Sequence, residues 1–235
     1  LQGDFGTSWL SGYEVLPEFL HRIPYTILLG SLSMFVAVII GIPLGIIAAI
    51  RQYHFVDYAS LALALVLFSL PSFWFAMMGQ ILFCLTLGWL PASGVGSLTH
   101  FILPSITLGA NILASQLRMT RTSMLDVIKQ DYIRTARAKG LREKVVVYSH
   151  AWRNALLPVI TVLISWFISI FSGSLIIEQM FALNGMGQLY YQGLMNNDFE
   201  LALAIQMFYV LIALVGQLIT DLSYGIVDPR VRVNK

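Results

Sequence analysis

Side chains able to do chemistry are few in this sequence and widely separated. The four histidines, His21, His54, His100 and His150, stand in four different segments, and none has a second ligand at metal-binding spacing. The single cysteine, Cys84, lies in an apolar run, so no disulfide framework is possible and the thiol reads as a small core residue. No glycine is followed by lysine, so the phosphate-cradling Gly-x-x-x-x-Gly-Lys-Ser/Thr loop is missing. There is no His-Glu pair for a metalloprotease, and no serine in a nucleophile-elbow setting. The chain is therefore expected to be a non-catalytic protein that binds no cofactor or metal of its own. Charge collects in one place, Arg118 to Arg153, which holds nine of the 14 Lys and Arg together with Asp126, Asp131 and Glu143. A mixed-charge segment of this kind suits recognition rather than bond-breaking.

The elements that carry this segment follow from composition. Of 235 residues, 57% are hydrophobic and 11% charged, with a mean hydropathy of +0.77, against about 25% charge in a soluble domain. That excludes a disordered chain, a collagen-like fibre and a typical cytosolic enzyme, and makes the membrane the solvent. Uncharged runs cover Ile23–Ile50 (28 residues), Tyr58–Leu117 (60), Asn154–Ile177 (24) and Leu201–Thr220 (20). A spanning helix needs roughly 20 apolar residues. The longest run is cut by Gly88-Trp-Leu-Pro-Ala-Ser-Gly-Val-Gly-Ser97, a cluster of turn formers. It therefore reads as two spans, about Tyr58–Leu87 and Phe101–Leu117, the second continuing past Arg118. The runs lack the alternation of barrel strands, so an all-α membrane protein with five transmembrane helices is expected. Pro43 and Pro71 lie inside spans, and Gly41 and Gly45 form a small-xxx-small pair that lets helices approach closely.

Orientation follows from the basic residues. With five spans, one side receives 51–57, 118–153 and 225–235, which together carry 13 of the 14 Lys and Arg; only Arg22 falls opposite. That side is read as cytoplasmic, including the C-terminus. The expected organisation is an extracytoplasmic segment over 1–22, a transmembrane domain over 23–225 and a cytoplasmic tail over 226–235. An outer start without a signal peptide implies an earlier span, so six are expected in the intact protein.

Within 118–153, Gly140 follows Arg137 and Lys139, which reads as a helix end. A second short helix is expected over Arg142–Trp152, with Leu141, Val145 and Tyr148 on one face. By composition alone the segment is either a basic loop touching anionic lipid or a rigid helix pair docked on a partner protein. Low aromatic content and a membrane anchor argue against nucleic acid.

Asp131-Tyr-Ile-Arg-Thr-Ala-Arg-Ala-Lys-Gly140, followed by His150-Ala-Trp-Arg-Asn-Ala-Leu-Leu-Pro158, resembles the EAA motif of ABC importer permeases. Its form is similar to the dipeptide/oligopeptide/nickel family, B-type subunit. Gly3-Asp-Phe-Gly6, Ile177-Glu178 with Phe181, Asn184-Gly-Met-Gly187, Asp198-Phe199 and Asp228-Pro-Arg-Val-Arg232 resemble further family segments, in order along the chain. Two departures stand out. Arg134-Thr135-Ala136 replaces Glu-Ala-Ala, and Asn184 stands where Pro is usual.

The resemblance implies a type I ABC importer permease-like fold in a bacterial inner membrane, with a cytoplasmic helix-turn-helix coupling loop. It implies four kinds of partner: a second homologous permease, two cytoplasmic ATPases that bind ATP and Mg, an extracytoplasmic substrate-binding protein, and membrane lipid. The expected cargo is short peptides, with nickel complexes or glutathione as alternatives. The loop would sit in a groove of an ATPase. Gly140 would supply the hinge and Ala136, without bulk, the close approach. Leu141 and Val145 would enter an apolar slot, with Arg137, Lys139, Arg142 and Glu143 setting orientation at the rim, and Arg134 and Thr135 belong to the same coupling loop. Glu178 and Asp198 flank an outer loop and are candidate contacts for the binding protein. Ser69, Ser72, Gln80, Asn111, Ser115 and Gln116 are candidate pore-lining residues or helix-helix partners. An ATP-independent channel or carrier, and a membrane scaffold, remain the competing readings.

Overall fold

The computed structural model describes residues 5–170 and 174–227, with side chains as far as Thr220 and at Leu222. Gly3, Asp4 and the Asp228–Arg232 motif lie outside the described residues. The order is α1 (Val15–Ile50), α2 (Phe55–Ser69), α3 (Ser72–Gly79), α4 (Thr99–Ile128), α5 (Asp131–Ala138), α6 (Glu143–Val145), α7 (Arg153–Ser169), α8 (Leu175–Met180), α9 (Met186–Met195) and α10 (Phe199–Val227). A π-helical stretch, Gln80–Thr86, continues α3, and another, Val146–Trp152, joins α6 to α7. Among the described residues the β-bridge present is the isolated antiparallel pair Thr7–Glu14.

Among the described residues three helices are long and apolar enough to cross a membrane: Val15–Ile50, Glu143–Ser169 and Phe199–Thr220. The pair Phe55–Ser69 and Ser72–Thr86 qualifies only when taken together. The single span expected over Tyr58–Leu87 is thus broken, because Pro71 lacks the amide that would continue the helix and restricts the residue before it. The helix containing Phe101–Leu117 does run on past Arg118, to Ile128. Its composition is less apolar because it carries buried polar residues, Ser105, Thr107, Gln116, Thr120 and Ser123. A helix enclosed by its neighbours rather than by lipid can bury hydroxyls that return to its own backbone, as Thr107 does to the Leu103 carbonyl at 2.8 Å.

The chain divides into two compact units. The first comprises Leu1–Met34, Leu70–Gly109 and Trp166–Leu218. Its core is Leu29, Ala76, Phe101, Leu103, Ile177, Phe181 and Leu183, with a second cluster around Val15, Phe19, Met186, Leu189, Ala204 and Ile205. The turn-rich stretch after α3 is fastened here: Gln80 donates to the carbonyls of Ala92 at 3.0 Å and Met180 at 3.3 Å, and the Gly94 amide donates to the Phe181 carbonyl at 2.9 Å.

The second unit comprises Phe35–Ser69, Ala110–Ser165 and Ile219–Lys235. Its core joins Ile46 and Ala49 of α1, Met124 and Leu125 of α4, Ile133 and Ala136 of α5, and Val146, Val147, Ala151 and Ala155. Here Gly41 and Gly45 bring α1 against α4. A Cβ on Gly45 would stand 2.7 Å from the Thr120 Cβ and 2.8 Å from the Leu117 carbonyl oxygen, whereas one on Gly41 would clear its nearest neighbour by 3.2 Å. The small-xxx-small pair is therefore a packing contact, and its two members are unequal. Gly45→Ala is expected to destabilise the protein by about 1–3 kcal/mol, through overpacking against rigid helix backbone. Gly41→Ala should cost less, and thermal unfolding of the two variants in the same detergent measures the order.

Candidate functional site

The basic segment begins where α4 ends. Gln130 takes an extended backbone, and α5 starts at Asp131. The helix is short and two-faced: Ile133 and Ala136 are buried, whereas Arg134, Thr135 and Arg137 are exposed. The buried pair packs into the second unit's core. Lys139 closes the helix, its amide donating to the Thr135 carbonyl, and the Gly140 amide follows onto the Arg137 carbonyl at 2.9 Å. Gly140 has φ +76° with open space about it, so the expected positive-φ turn is present. Arg137 reaches across that turn to Glu143, with guanidinium-carboxylate distances of 2.7 and 3.2 Å. The turn is thereby braced from within the loop, although both side chains stay accessible.

Leu141, Val145 and Tyr148 lie beyond the turn at 41%, 39% and 57% exposure, and form the apolar face expected from their spacing. Arg142 and Lys139 are exposed beside it. Two expectations are corrected. The second helix does not end at Trp152; helical structure runs from Glu143 to Ser169, so the loop and the following span are one rod. Ala136 faces the chain's own core at 7% exposure, so its small size serves the packing of α5 against this protein rather than against a partner.

Glu178 and Asp198 are also corrected. Expected as outer contacts, they are buried, at 0% and 3% exposure. Glu178 accepts from the Thr26 hydroxyl at 3.0 Å, the Gln188 amide at 3.1 Å and the Ser174 amide at 3.3 Å. Thr26 in turn accepts the Met186 amide at 2.8 Å. The Glu178 carboxylate and Thr26 together satisfy the free amides at the start of α9. This explains the glycines of Asn184-Gly-Met-Gly187. A Cβ on Gly187 would lie 2.7 Å from the Leu175 nitrogen and 3.0 Å from a Glu178 oxygen, and one on Gly185 would strike the carboxylate and Thr26. Burial pushes the Glu178 carboxyl above the ordinary carboxylate range, and the hydrogen bonds pull it back in part.

Asp198 binds the Ser8 hydroxyl and the Trp9 amide, and caps α10 by accepting the Leu201 amide at 3.2 Å. Burial pushes its carboxyl up, but the Ser8 hydroxyl and the backbone amides outweigh this and hold it below the ordinary range. The exposed groups in this region are Trp9, Leu10 and Tyr13 of the N-terminal turn.

Sequence reasoning missed one charged pair. Asp57 is buried and meets the Arg121 guanidinium in a fork, Nε to Oδ1 at 2.5 Å and a terminal nitrogen to Oδ2 at 2.8 Å. The available signal was an acid at the edge of the 60-residue uncharged run, beside a basic residue just beyond its far end. The partners Thr26 and Ser8 carry no signal that separates them from other hydroxyls. Among the described residues no group of three His, Cys, Asp or Glu could hold a metal ion. Of the polar candidates within spans, Gln80 serves as a fastener, and Gln116 is fully buried and donates to Thr120 at 3.4 Å.

Residues 41–233 match the family of binding-protein-dependent transport system inner membrane components. The chain is 39% identical to the oligopeptide transport system permease protein AppB of Bacillus subtilis, over 98% of this chain and 77% of that protein. It is 39% identical to the dipeptide transport system permease protein DppB of Bacillus subtilis, covering 99% and 76%. It is 38% identical to the glutathione transport system permease protein GsiC of Pectobacterium atrosepticum, covering 99% and 76%. Among solved structures, an inward-facing MetNI methionine ABC transporter matches with a TM-score of 0.75 at 18% identity, over 91% of this chain and 97% of that one. An amino acid ABC transporter matches at 0.69 and 15% identity, over 88% and 92%. These two share the fold.

The two buried acids should give opposite pH dependences. The proton binds Glu178 more tightly in the folded than in the unfolded protein, so its contribution to stability falls as pH rises above the ordinary carboxylate range. Asp198 behaves in the reverse sense, its contribution being lost as pH falls below the ordinary carboxylate range and through its lowered folded-state value. Unfolding followed from well below the ordinary carboxylate range up to neutral pH should therefore lose its acid-side slope in Asp198→Asn and its neutral-side slope in Glu178→Gln. Each substitution is also expected to cost about 1–3 kcal/mol at its optimum, because an amide NH2 faces backbone N–H groups.

Proposed function

The chain belongs to the family of binding-protein-dependent transport system inner membrane components, and we propose that it couples solute passage to ATP hydrolysis through the 131–158 segment. It is a permease subunit of the ABC peptide-importer family. In this reading it forms half of a translocation path with a second homologous permease. Two cytoplasmic ATPases bind ATP and Mg and drive the cycle, and an extracytoplasmic binding protein delivers the solute. The chain itself is non-catalytic. The 118–153 segment faces the cytoplasm, as its nine Lys and Arg favour.

The observation that carries the coupling role is the two-sidedness of the loop. Its inner side, Ile133, Ala136, Val146 and Val147, is locked into the core around α1 and α4. Its outer side presents Leu141, Val145 and Tyr148 beside Arg142 and Lys139. An exposed apolar face with a charged rim, on a braced turn, suits a groove on a rigid partner. A force applied there enters the rod Glu143–Ser169 directly. Short peptides are the proposed cargo class, in keeping with relatives named for oligopeptide, dipeptide and glutathione transport.

Co-purification in mild detergent tests the reading. The wild type should carry a second permease and two ATPases, with hydrolysis stimulated by short peptides in the presence of the binding protein. Leu141→Asp should abolish ATPase association and cut uptake by about tenfold or more, consistent with an interface hot spot worth about 2 kcal/mol, while membrane insertion stays normal. A chain that purifies without ATPases, or takes up solute without ATP, would overturn the assignment.

A further inference from the structure

Resting on the coupling role just described, we propose that Asp57 and Arg121 are positioning residues for energy coupling: they lock α4 to the α1–α2 turn, so that a displacement of the docking loop reaches both as one movement. The pair stands where three segments meet. Asp57 lies in the first turn of α2, at 1% exposure. One carboxylate oxygen, Oδ2, accepts both from Arg121 of α4 at 2.8 Å and from the Tyr53 amide of the α1–α2 turn at 3.0 Å. Tyr53 holds φ +66°, a conformation that is unfavourable for a residue with a bulky side chain. The Asp57 carboxylate therefore stabilises a strained turn and grips α4 through the same atom. One helical turn earlier on α4, the Arg118 guanidinium stacks over the Phe68 ring of α2, 4.5 Å from its centre. Two cationic contacts thus tie α4 to α2.

The pair also occupies the position a coupling lever requires. Arg121 lies about two turns before α4 ends at Ile128, and α5 begins at Asp131. Apolar contacts among Met124, Leu125, Ile133 and Ala136 attach α5 to α4. Contacts of that kind hold surfaces together but let them slide. A bidentate fork behaves differently, because its two parallel bonds fix an angle as well as a distance. Stability alone does not account for the pair. A buried ion pair is a poor stabiliser beside a well-packed apolar pair of similar volume, since both charges lose water. What the fork adds is a fixed register between α4 and the turn.

The test uses the assembled complex in liposomes with its ATPases, second permease and binding protein, measuring solute uptake and ATP hydrolysis in the same vesicles. The double variant Asp57→Leu/Arg121→Met keeps the packing volume and leaves no lone buried charge. Arg121→Lys keeps the charge and loses the fork. Both should assemble with ATPases like the wild type and hydrolyse ATP. In both, solute carried per ATP hydrolysed should fall by about five-fold, the scale on which side chains along a coupling route act. A double variant that retains the wild-type ratio overturns the proposal. If the double variant fails to fold, the same ratio in Arg121→Lys decides, and an unchanged value overturns it. Failure of the coupling role is distinguishable, because wild-type uptake would then be independent of ATP and Leu141→Asp would have no effect on ATPase association.

Discussion

A carboxylate that leaves water must have its lone pairs filled by donors, and three buried carboxylates organise the parts of this protein that are not simple apolar helices. Asp57, Glu178 and Asp198 are each nearly or fully inaccessible. Each joins a donor remote in sequence to amides nearby: Asp57 takes Arg121 with the Tyr53 amide, Glu178 takes Thr26 with the amides of Ser174 and Gln188, and Asp198 takes Ser8 and the Trp9 amide with that of Leu201. In a chain with 11% charged residues, such contacts are the most specific ones available. Apolar attraction is non-directional, and a carboxylate with aimed donors adds a fixed direction to it.

The two glycine-containing motifs illustrate different uses of a missing Cβ. At Gly140 the need is conformational: the backbone is left-handed and nothing crowds it. At Gly187 the need is spatial, because the Glu178 carboxylate and the start of α8 occupy the volume a side chain would take. The first produces an exposed turn that leaves Leu141 and Val145 open to solvent. The second produces a closed turn that hides an acid. Identical residues in two family-like motifs thus serve opposite ends, one exposure and one enclosure.

The 131–153 loop gains its stiffness from the side of it that faces the chain's own core. Ile133, Ala136, Val146 and Val147 bury themselves among α1 and α4, and the Arg137–Glu143 bridge braces the turn between them. A lever must be held at its base before a force at its tip can do anything beyond bending it. The continuous helix from Glu143 to Ser169 extends that base into a membrane-crossing rod.

Much of this was legible in the sequence. Uncharged runs gave the apolar helices, because the cost of exposing charge to lipid leaves a one-dimensional trace. The turn at Gly140 and the face of Leu141, Val145 and Tyr148 were legible because local spacing governs them. The ordered motifs named the family, and similarity along nearly the whole chain bears that out. What tertiary structure alone decided was direction. Ala136, Glu178 and Asp198 turn inward, α2 and α3 separate at Pro71, and Asp57 finds Arg121 across 64 positions of chain. Periodicity reports which residues share a face, but which face another helix covers depends on contacts between segments far apart in sequence. Composition and spacing therefore determined the long apolar helices and the turn at Gly140, while burial of the acids had to wait for the folded chain that supplies their donors.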